Sequence, residues 1–234
     1  MKVKISVISD THTKHRGIEK ESLPGGDIII HGGDLMNSGR VEDDIWNFCE
    51  WYSKLPYKNI IFIAGNHDRL FELYPGRIQE ILEEYPNIIY LQDSFVEIPL
   101  EEDKKIKIYG SPWQPEFYNW AFNLPREGKE LEEIWNAIPE DSDIVITHGP
   151  ARGILDVSGP PYSEPDLGCP LLRKRLDIIK PKIHVCGHIH GGRGYVYNNE
   201  THYFNASILD ERYRYVNPPY NFEWDLENNQ IEFY

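Results

Sequence analysis

Short runs of β-branched and aliphatic residues alternate with amphipathic helical stretches along this chain. The runs predict strands at 3–9, 28–31, 60–64, 88–91, 96–98, 106–109 and 144–147. Apolar residues at helical spacing predict helices at 41–54, 77–85, 130–137 and 171–179. Strand-like runs return at 183–186, 194–197, 202–205, 222–225 and 231–233, with turns at 198–199 and 228–229. One α/β domain over 1–234, with two packed sheets and helices outside, accounts for this order.

Metal-ligand residues directly follow five of the predicted strands. The five clusters are Asp10-Thr11-His12, Gly33-Asp34, Gly65-Asn66-His67-Asp68, Thr147-His148-Gly149 and Gly187-His188-Ile189-His190. In an open α/β sheet, ligands bind beyond the carboxyl ends of the strands, so we expect the clusters to share one rim. A single histidine after a strand is more often structural. Five such clusters in order predict a metal site with an enzymatic purpose.

Each cluster offers a distinct kind of ligand. Asp10 and His12 are two residues apart, a spacing that points both side chains to one side of an extended strand end. Asp34 follows two glycines, and its two oxygens could bridge two ions, while Asn66 offers a carbonyl oxygen to the second. Mixed oxygen and nitrogen ligands suit Zn, Fe, Mn, Ni or Co better than Mg or Ca. The imidazoles of the last two clusters come from His148, His188 and His190.

Two residues in the third cluster are candidates for catalysis. His67 is adjacent to Asn66, so it would lie beside the metals and could protonate a leaving oxygen or stabilise transition-state charge. Asp68 could fix the orientation of the His67 ring. The alternative is that Asp68 caps the segment that follows. The other histidines carry no pattern: we expect His31 and His184 in the core, and His15 and His202 on the surface.

The net charge narrows the class of partner. The 234 residues carry a net charge of −14, which argues against an extended nucleic-acid surface and against an anionic membrane. A small phosphate ester is compatible, because bound cations would meet its charge.

Three cysteines without a C-x-x-C pair predict reduced, mostly buried thiols. Neither a signal peptide nor a bilayer-length apolar run is apparent, so we expect a cytoplasmic protein.

Loops carry the candidate substrate contacts. The segment 110–125 has five aromatic residues without a period, so it either packs on the body or lines the substrate site. Trp113, Phe117 or Trp120 could stack on a base, and Arg152 could contact phosphate, as could Arg16 and Arg69. The segment 150–170 is a Gly- and Pro-rich loop, either a lid or a passive connection. The segment 213–220 could cover a sheet edge or form a dimer contact.

The ordered motifs D-x-H, G-D, G-N-H-D, H and G-H-x-H resemble those of the calcineurin-like metallophosphoesterase superfamily, and all are intact here. Further similarity is to its metallophosphoesterase-domain-containing branch, the 239-type brain proteins. This second likeness extends over essentially the whole chain. It rests on Gly32–Leu35, Ile63–Asp68, Tyr109–Trp113, Phe122–Arg126, Thr147–Pro150, Phe204–Ser207 and Tyr215–Pro219.

The resemblance implies a four-layer α/β/β/α sandwich of two mixed sheets flanked by helices. It implies two divalent ions, with manganese the common activating metal. One ion would take Asp10, His12, Asp34 and His190, and the other Asp34, Asn66, His148 and His188. The expected activity is hydrolysis of small phosphodiesters, including 2′,3′- or 3′,5′-cyclic nucleotides, through in-line attack of a metal-bridging hydroxide. A phosphomonoesterase or protein phosphatase, or a scaffold with vestigial activity, is the alternative. The oligomeric state is left open.

Overall fold

The computed structural model describes residues 1–101, 103–160 and 166–234, and two six-stranded sheets dominate it. The first sheet has the order β14-β13-β1-β2-β3-β4. Strands β1 to β4 are parallel, β13 pairs antiparallel with β1, and β14 pairs antiparallel with β13. Its strands are β1 (Lys2–Ile8), β2 (Gly26–His31), β3 (Tyr57–Phe62), β4 (Ile88–Tyr90), β13 (Tyr220–Asp225) and β14 (Gln230–Phe233).

The second sheet has the order β11-β12-β10-β9-β6-β5. Its four central strands are parallel, and an antiparallel strand closes each edge. Its strands are β5 (Ser94–Pro99), β6 (Lys105–Ser111), β9 (Ile144–Thr147), β10 (Ile183–Cys186), β11 (Gly194–Asn198) and β12 (Thr201–Asn205). A parallel pair of two-residue strands, β7 (Gln114–Pro115) and β8 (Asn123–Leu124), lies apart from both sheets.

Helices cover the outer faces of the two sheets. The helices are α1 (Glu42–Tyr52), α2 (Arg69–Leu73), α3 (Pro75–Glu83), α4 (Lys129–Asn136) and α5 (Pro170–Ile179). The first three share a core cluster with residues of the first sheet, and the last two share one with the second sheet. The layers are therefore α/β/β/α, as the resemblance implied.

Side-chain alternation along the strands builds the central core between the sheets. In β3, Ile60 and Phe62 pack beneath the helices, whereas Ile61 faces the opposite sheet, because successive side chains of a strand point to opposite faces. Ile61 shares this central cluster with Ile108 and Ile146 of the second sheet. Both sheets are thus apolar on both faces, which is typical of parallel sheets covered by helices.

The predicted helices and strands all occur, with ends shifted by a few residues. The predicted helix at 41–54 begins at Glu42 and ends at Tyr52, and both predicted hairpin turns are present. The three cysteines are free and buried. Residues 150–160 and 166–169 form a loop, in which Ala151 pairs with Cys169, and the rest of that loop lies outside the described residues. Among the described residues, no helix is both long and apolar enough to cross a membrane.

Candidate metal centre

The five predicted clusters meet at one rim, at the carboxyl ends of central strands from both sheets. Strands β1, β2 and β3 of the first sheet lead into Asp10, Asp34 and Asn66. Strands β9 and β10 of the second sheet lead into His148 and His188. Because parallel strands end at the same edge, segments far apart in sequence deliver their polar side chains to one place.

Asp34 lies at the centre of this group. Its Oδ2 atom is 3.7 Å from His12 Nε2 and 3.4 Å from His148 Nε2. Its Oδ1 atom accepts a hydrogen bond from the His67 backbone N–H at 2.7 Å. One oxygen therefore faces ligands on two sides, which is the arrangement expected of a carboxylate shared between two ions.

Two ligand groups flank Asp34. On one side, His190 Nε2 is 3.5 Å from Asp10 Oδ1 and 3.4 Å from His12 Nε2. The ligand atoms of these three residues all lie within 4.8 Å of one another. On the other side, Asn66 Oδ1 is 2.9 Å from His148 Nε2 and 2.8 Å from His188 Nδ1. Asp34, His148 and His188 likewise form a group that can hold a metal ion.

Backbone carbonyl groups fix the tautomers of three of these histidines. The Nδ1 atoms of His12, His148 and His190 each lie 3.0 Å from a carbonyl oxygen, those of Met36, Gly32 and Asp210 respectively. Nδ1 must donate in each pair, so in the neutral, metal-binding form of the ring Nε2 has a lone pair that points into the centre. Such hydrogen bonds behind the ligands are typical of metal-bound histidines.

The electrostatics also fit a cation. Burial by itself would raise the pKa of Asp10 and Asp34, but neighbouring imidazoles hold both pKa values below the usual range, chiefly His190 for Asp10 and His148 for Asp34. Burial lowers the pKa of His148 and His190, yet these carboxylates outweigh it and raise each pKa to about 9. Two buried carboxylates are stable only beside positive charge. Protons on His148 and His190 supply that charge, and divalent cations would compete with these protons for the same nitrogen atoms.

Unusual backbone conformations aim the ligands. Asp10, His12, Asp34 and His188 all have positive φ, at 55°, 39°, 58° and 67°. The prediction that Asp10 and His12 continue an extended strand end is therefore wrong: β1 ends at Ile8, and the chain turns sharply. Such strained residues cluster at functional sites, where the surrounding structure holds them in place. Gly33 has φ of +99°, and a Cβ there would stand 2.6 Å from His148 Nδ1.

Asp68 does not orient His67. Its buried carboxylate accepts hydrogen bonds from the backbone N–H groups of Asp34, Leu35, Met36 and Gly65, at 2.7 to 3.3 Å. Asp68 occupies the N-cap position of α2, but its side chain makes no cap bond to that helix, so its contacts support neither predicted side-chain role. Burial and the charge of Asp34 raise the pKa of Asp68 to about 8. Asp68 instead ties the Asp34 loop to the turn that carries Asn66.

The His67 ring has other neighbours. Its Nδ1 atom donates to Asn37 O at 2.5 Å, and Trp120 stacks on it with ring centroids 4.0 Å apart and planes at 22°. The His12 ring meets it edge-on at 4.6 Å. His12, Asp34 and His67 also form a group that could hold a metal ion, so His67 stands within reach of the centre.

The predicted substrate contacts divide into two sets. Phe117 meets the His188 ring edge-on at 5.5 Å, so this aromatic residue reaches the centre. Trp113 instead packs on Phe122, and its Nε1 donates to Asp93 Oδ2 at 2.8 Å. Arg152 pairs with Asp166 at the surface and lies in a groove beside α5. The described contacts of Trp113 and Arg152 therefore lead elsewhere and give no support to their predicted substrate roles.

A cleft opens beside His188 and has a volume of about 450 Å³. Phe117 and Tyr118 line one side of it, and Glu116 and Glu211 also line it. Arg126 lies in this cleft too, where its guanidinium donates to the carbonyl oxygens of Gly168 and Leu167. The position of this cleft makes it the place where a substituent of a bound substrate would lie.

Two further residues of the site were missed in the sequence. Ser207 Oγ donates to Asp10 Oδ2 at 2.7 Å. The Tyr213 ring lies 4.8 Å from the His12 ring and 5.4 Å from the His190 ring. The roles predicted for the segment 213–220, a sheet-edge cover or a dimer contact, did not include this position. Neither residue follows a strand with a ligand motif. A signal for Ser207 came from the whole-chain resemblance that includes Phe204–Ser207, and none came for the contacts of Tyr213.

The histidines without a motif are all buried. His31 and His184 lie in the core as predicted. The prediction that His15 and His202 are exposed is wrong, since they are 2% and 5% exposed. His15 packs against Phe48 and Trp51, and the two ring nitrogens of His202 meet Tyr195 and Asn229.

Comparison with known proteins agrees with this geometry. The family model of calcineurin-like phosphoesterases matches residues 3–192. Human metallophosphoesterase domain-containing protein 1 is 40% identical over 233 residues, which cover 91% of this chain and 68% of that protein. The Caenorhabditis elegans UPF0046 protein T07D4.2 is 32% identical, over 99% of this chain and 62% of that protein.

Solved structures show the same fold at low sequence identity. The protein TT1561 of Thermus thermophilus superposes with a TM-score of 0.66 at 16% identity, over 100% of this chain and 99% of that one. The phosphopantetheinyl hydrolase PptH of Mycobacterium tuberculosis gives a TM-score of 0.59 at 14% identity, over 89% and 90%. The matched family model and the 40% identical relative together carry the assignment, and the chain belongs to the calcineurin-like phosphoesterase family of metal-dependent phosphoester hydrolases.

Proposed function

We propose that this protein is a dinuclear metal-dependent phosphodiesterase that hydrolyses small phosphodiesters, with 2′,3′- and 3′,5′-cyclic nucleotides as candidate substrates. The observation that carries the proposal is the position of Asp34 Oδ2 between His12 and His148, each of which belongs to a separate ligand group. A single-ion site would not need a central carboxylate with ligands on both sides.

The proposed ligands divide between two ions that share Asp34. Asp10, His12 and His190 would hold one ion, and Asn66, His148 and His188 the other. When bound, such a pair supplies an activated water and charge stabilisation for the attacking and leaving oxygens. The carbonyl groups behind His12, His148 and His190 keep the ligand nitrogens aimed inward.

His67 is the proposed proton donor to the leaving oxygen. Its Nδ1–H is engaged with Asn37 O, so any proton given to a substrate must leave from Nε2. As the bond between phosphorus and the leaving oxygen breaks, that oxygen takes the Nε2 proton. The ring is left neutral, with its remaining hydrogen still on Nδ1.

Charge around the centre supports the proposed preference for a diester over a monoester. A phosphodiester carries one negative charge, whereas a monoester near neutral pH carries up to two. The cleft beside His188 contains Glu116 and Glu211 as well as Arg126, whose guanidinium is bonded to the carbonyl oxygens of Gly168 and Leu167, and the chain has a net charge of −14. Repulsion from these carboxylates opposes the dianion more strongly. The aromatic side chains of Phe117 and Tyr118 supply a surface for a planar ester group such as a base.

The remaining parts of the proposal concern the metal and the setting. We propose manganese as the activating metal, with Fe, Zn, Ni or Co as the alternatives for these mixed ligands. We also propose a cytoplasmic protein, which three free, buried cysteines support. A single domain over 1–234 is supported by the central core cluster, to which both sheets contribute.

A metal-reconstituted substrate panel tests the proposal. Metal-free protein is loaded with Mn, Fe, Zn, Ni or Mg and assayed on an aryl phosphodiester, an aryl phosphomonoester and both classes of cyclic nucleotide. The expected result is metal-dependent diester turnover that Asp34→Asn abolishes. Preference for the monoester would instead indicate a phosphatase. Full metal content without turnover on the whole panel would indicate a scaffold.

A further inference from the structure

Two chain segments are joined beside the metal centre. The segment 66–72, a turn that leads into α2, carries His67, and the segment 119–122 lies against it. Ala121 N donates to Asn66 O at 3.1 Å, and Phe122 N donates to Glu72 Oε1 at 3.1 Å. The Arg69 guanidinium donates to Asn119 O. Three hydrogen bonds therefore hold the second segment in register with the turn.

Trp120 lies in the middle of this joined segment, half-buried, with its indole stacked on the His67 imidazole. The ring centroids are 4.0 Å apart, and the planes differ by 22°. The Arg69 guanidinium carbon lies 5.3 Å from the Trp120 ring centroid. One indole face is thus occupied by His67, and a cation lies over the ring. Both features leave Trp120 poorly placed to stack on a substrate base.

The other sides of the His67 ring are also defined. Asn37 O accepts from Nδ1, and the His12 ring meets the imidazole edge-on at 4.6 Å. A flip of the ring would break the bond to Asn37. A tilt would be opposed by the stacked indole. Trp120 therefore fixes the plane of the His67 ring, and Asn37 fixes the direction in which Nδ1 points. Asp68 does neither.

We propose that Trp120 is a positioning residue that holds the His67 imidazole in the orientation needed to deliver a proton from Nε2 to the leaving oxygen. This inference rests on the proposed role of His67 as the proton donor. It assigns Trp120 a part in turnover through His67, without contact between Trp120 and the substrate.

The test compares two diesters of similar shape in the manganese-loaded enzyme. The p-nitrophenolate of bis(p-nitrophenyl) phosphate leaves readily without a proton, whereas the phenolate of diphenyl phosphate gains more from protonation. Trp120→Leu should lower kcat for diphenyl phosphate about 10-fold and for the nitrophenyl ester only about twofold, because general acid help matters less there. KM should be unchanged. Trp120→Phe should restore most of the loss, since a phenyl ring can still stack.

A double-mutant cycle isolates the path through His67. If Trp120 acts only by holding that ring, Trp120→Leu should cause no further loss in a His67→Ala background. Equal losses in both backgrounds would overturn the proposal, as would a Trp120→Leu effect confined to KM. Trp46→Leu is the matched control: Trp46 is also half-buried but lies on α1, against Tyr85. It should leave the ratio of the two kcat values unchanged.

Two readouts are independent of turnover. In zinc-loaded protein, which is diamagnetic, a stacked indole shifts the His67 ring-proton resonances upfield, and this shift should disappear in Trp120→Leu but persist in Trp120→Phe. Unchanged His67 resonances in Trp120→Leu would contradict the stacking. Metal content separates this proposal from the proposed function. His67→Ala should retain both ions, and loss of one ion would make His67 a ligand and overturn its role as a proton donor.

Discussion

The floor and the wall of the site are built in different ways. The floor consists of the seven proposed ligands, which follow regular strands and are held by buried hydrogen bonds: Asp10, His12, Asp34, Asn66, His148, His188 and His190. The wall consists of Phe117, Trp120 and Tyr213, which come from irregular segments. Phe117 and Tyr213 contact floor histidines through their rings, whereas Trp120 stacks on His67 beside the floor.

This difference separates the chemistry from its selectivity. Strand ends are fixed by two sheets and a shared core, so the floor can hold charges within a few ångströms of one another. The wall segments can change without disturbing the sheets, because they lie at the surface. We therefore expect floor substitutions to remove metal and activity, and wall substitutions to change which substrate is turned over.

The largest effect is expected at the centre of the floor. Asp34→Asn keeps the shape and an oxygen acceptor for the His67 N–H but removes the charge that faces both ligand groups. Activity should fall by about 10³-fold or more, since several kcal/mol of charge stabilisation is lost. Metal analysis and kcat/KM check this. Asp43→Asn, on the exposed face of α1, is the control and should match the parent enzyme.

A smaller effect is expected just beneath the floor. Ser207→Ala removes the hydroxyl that donates to the buried Asp10 carboxylate, so metal affinity should fall about 10- to 100-fold, as for other outer partners of metal ligands. A metal titration measures it. Ser142 is also buried, but its hydroxyl has no hydrogen-bond partner among the described residues. Ser142→Ala should leave metal affinity unchanged, and an equal fall in both variants would contradict the role of Ser207.

The wall should respond differently. Tyr213→Ala removes a ring that lies against His12 and His190, so we expect about a 10-fold change in the ratio of kcat/KM between two diesters, with metal content unchanged. Tyr215→Ala is the matched control, because the two residues are 36% and 37% exposed. Loss of metal in Tyr213→Ala would show that floor and wall are not separable.

The smallest effect on activity is expected at a histidine outside both regions. Burial lowers the pKa of His15 to about 4, whereas an unfolded histidine titrates near 6.5. Between these values the unfolded state binds more protons, so the stability that neutral His15 contributes is complete above pH ~6.5 and is lost as pH falls towards 4. In His15→Leu, the free energy of unfolding should therefore fall less as the pH is lowered, and kcat should be unchanged.

Denaturant unfolding at pH 7 and at pH 5 measures this difference. His202→Leu is the comparison, because both of its ring nitrogens are hydrogen-bonded. It should destabilise the protein at both pH values, because the Tyr195 hydroxyl and the backbone carbonyl of Asn229 lose their hydrogen bonds with His202. If the free energy of unfolding falls as steeply between pH 7 and pH 5 in His15→Leu as in the parent protein, groups other than His15 take up the protons.

The sequence by itself predicted the strands of both sheets and four of the helices, but not α2, β7 or β8, and it named the candidate ligands that the structure brings together. Apolar runs mark buried strands because a strand covered on both faces needs apolar side chains at successive positions. Ligand motifs directly after those strands could be assigned to one rim, because parallel strands end at one edge. The superfamily resemblance added the layer order, which the two six-stranded sheets and the α-helices of the described residues confirm.

Only the tertiary structure decided what surrounds the floor. Asp68 contacts four backbone amides across a loop, and Trp120 reaches His67 from a distant part of the chain, so no local pattern reports either contact. His15 and His202 are buried by packing partners that polarity alone does not reveal. The physical reason is common to all of these. Periodicity records whether a side chain faces the core, whereas the partner of a polar or aromatic side chain depends on how distant segments close over it.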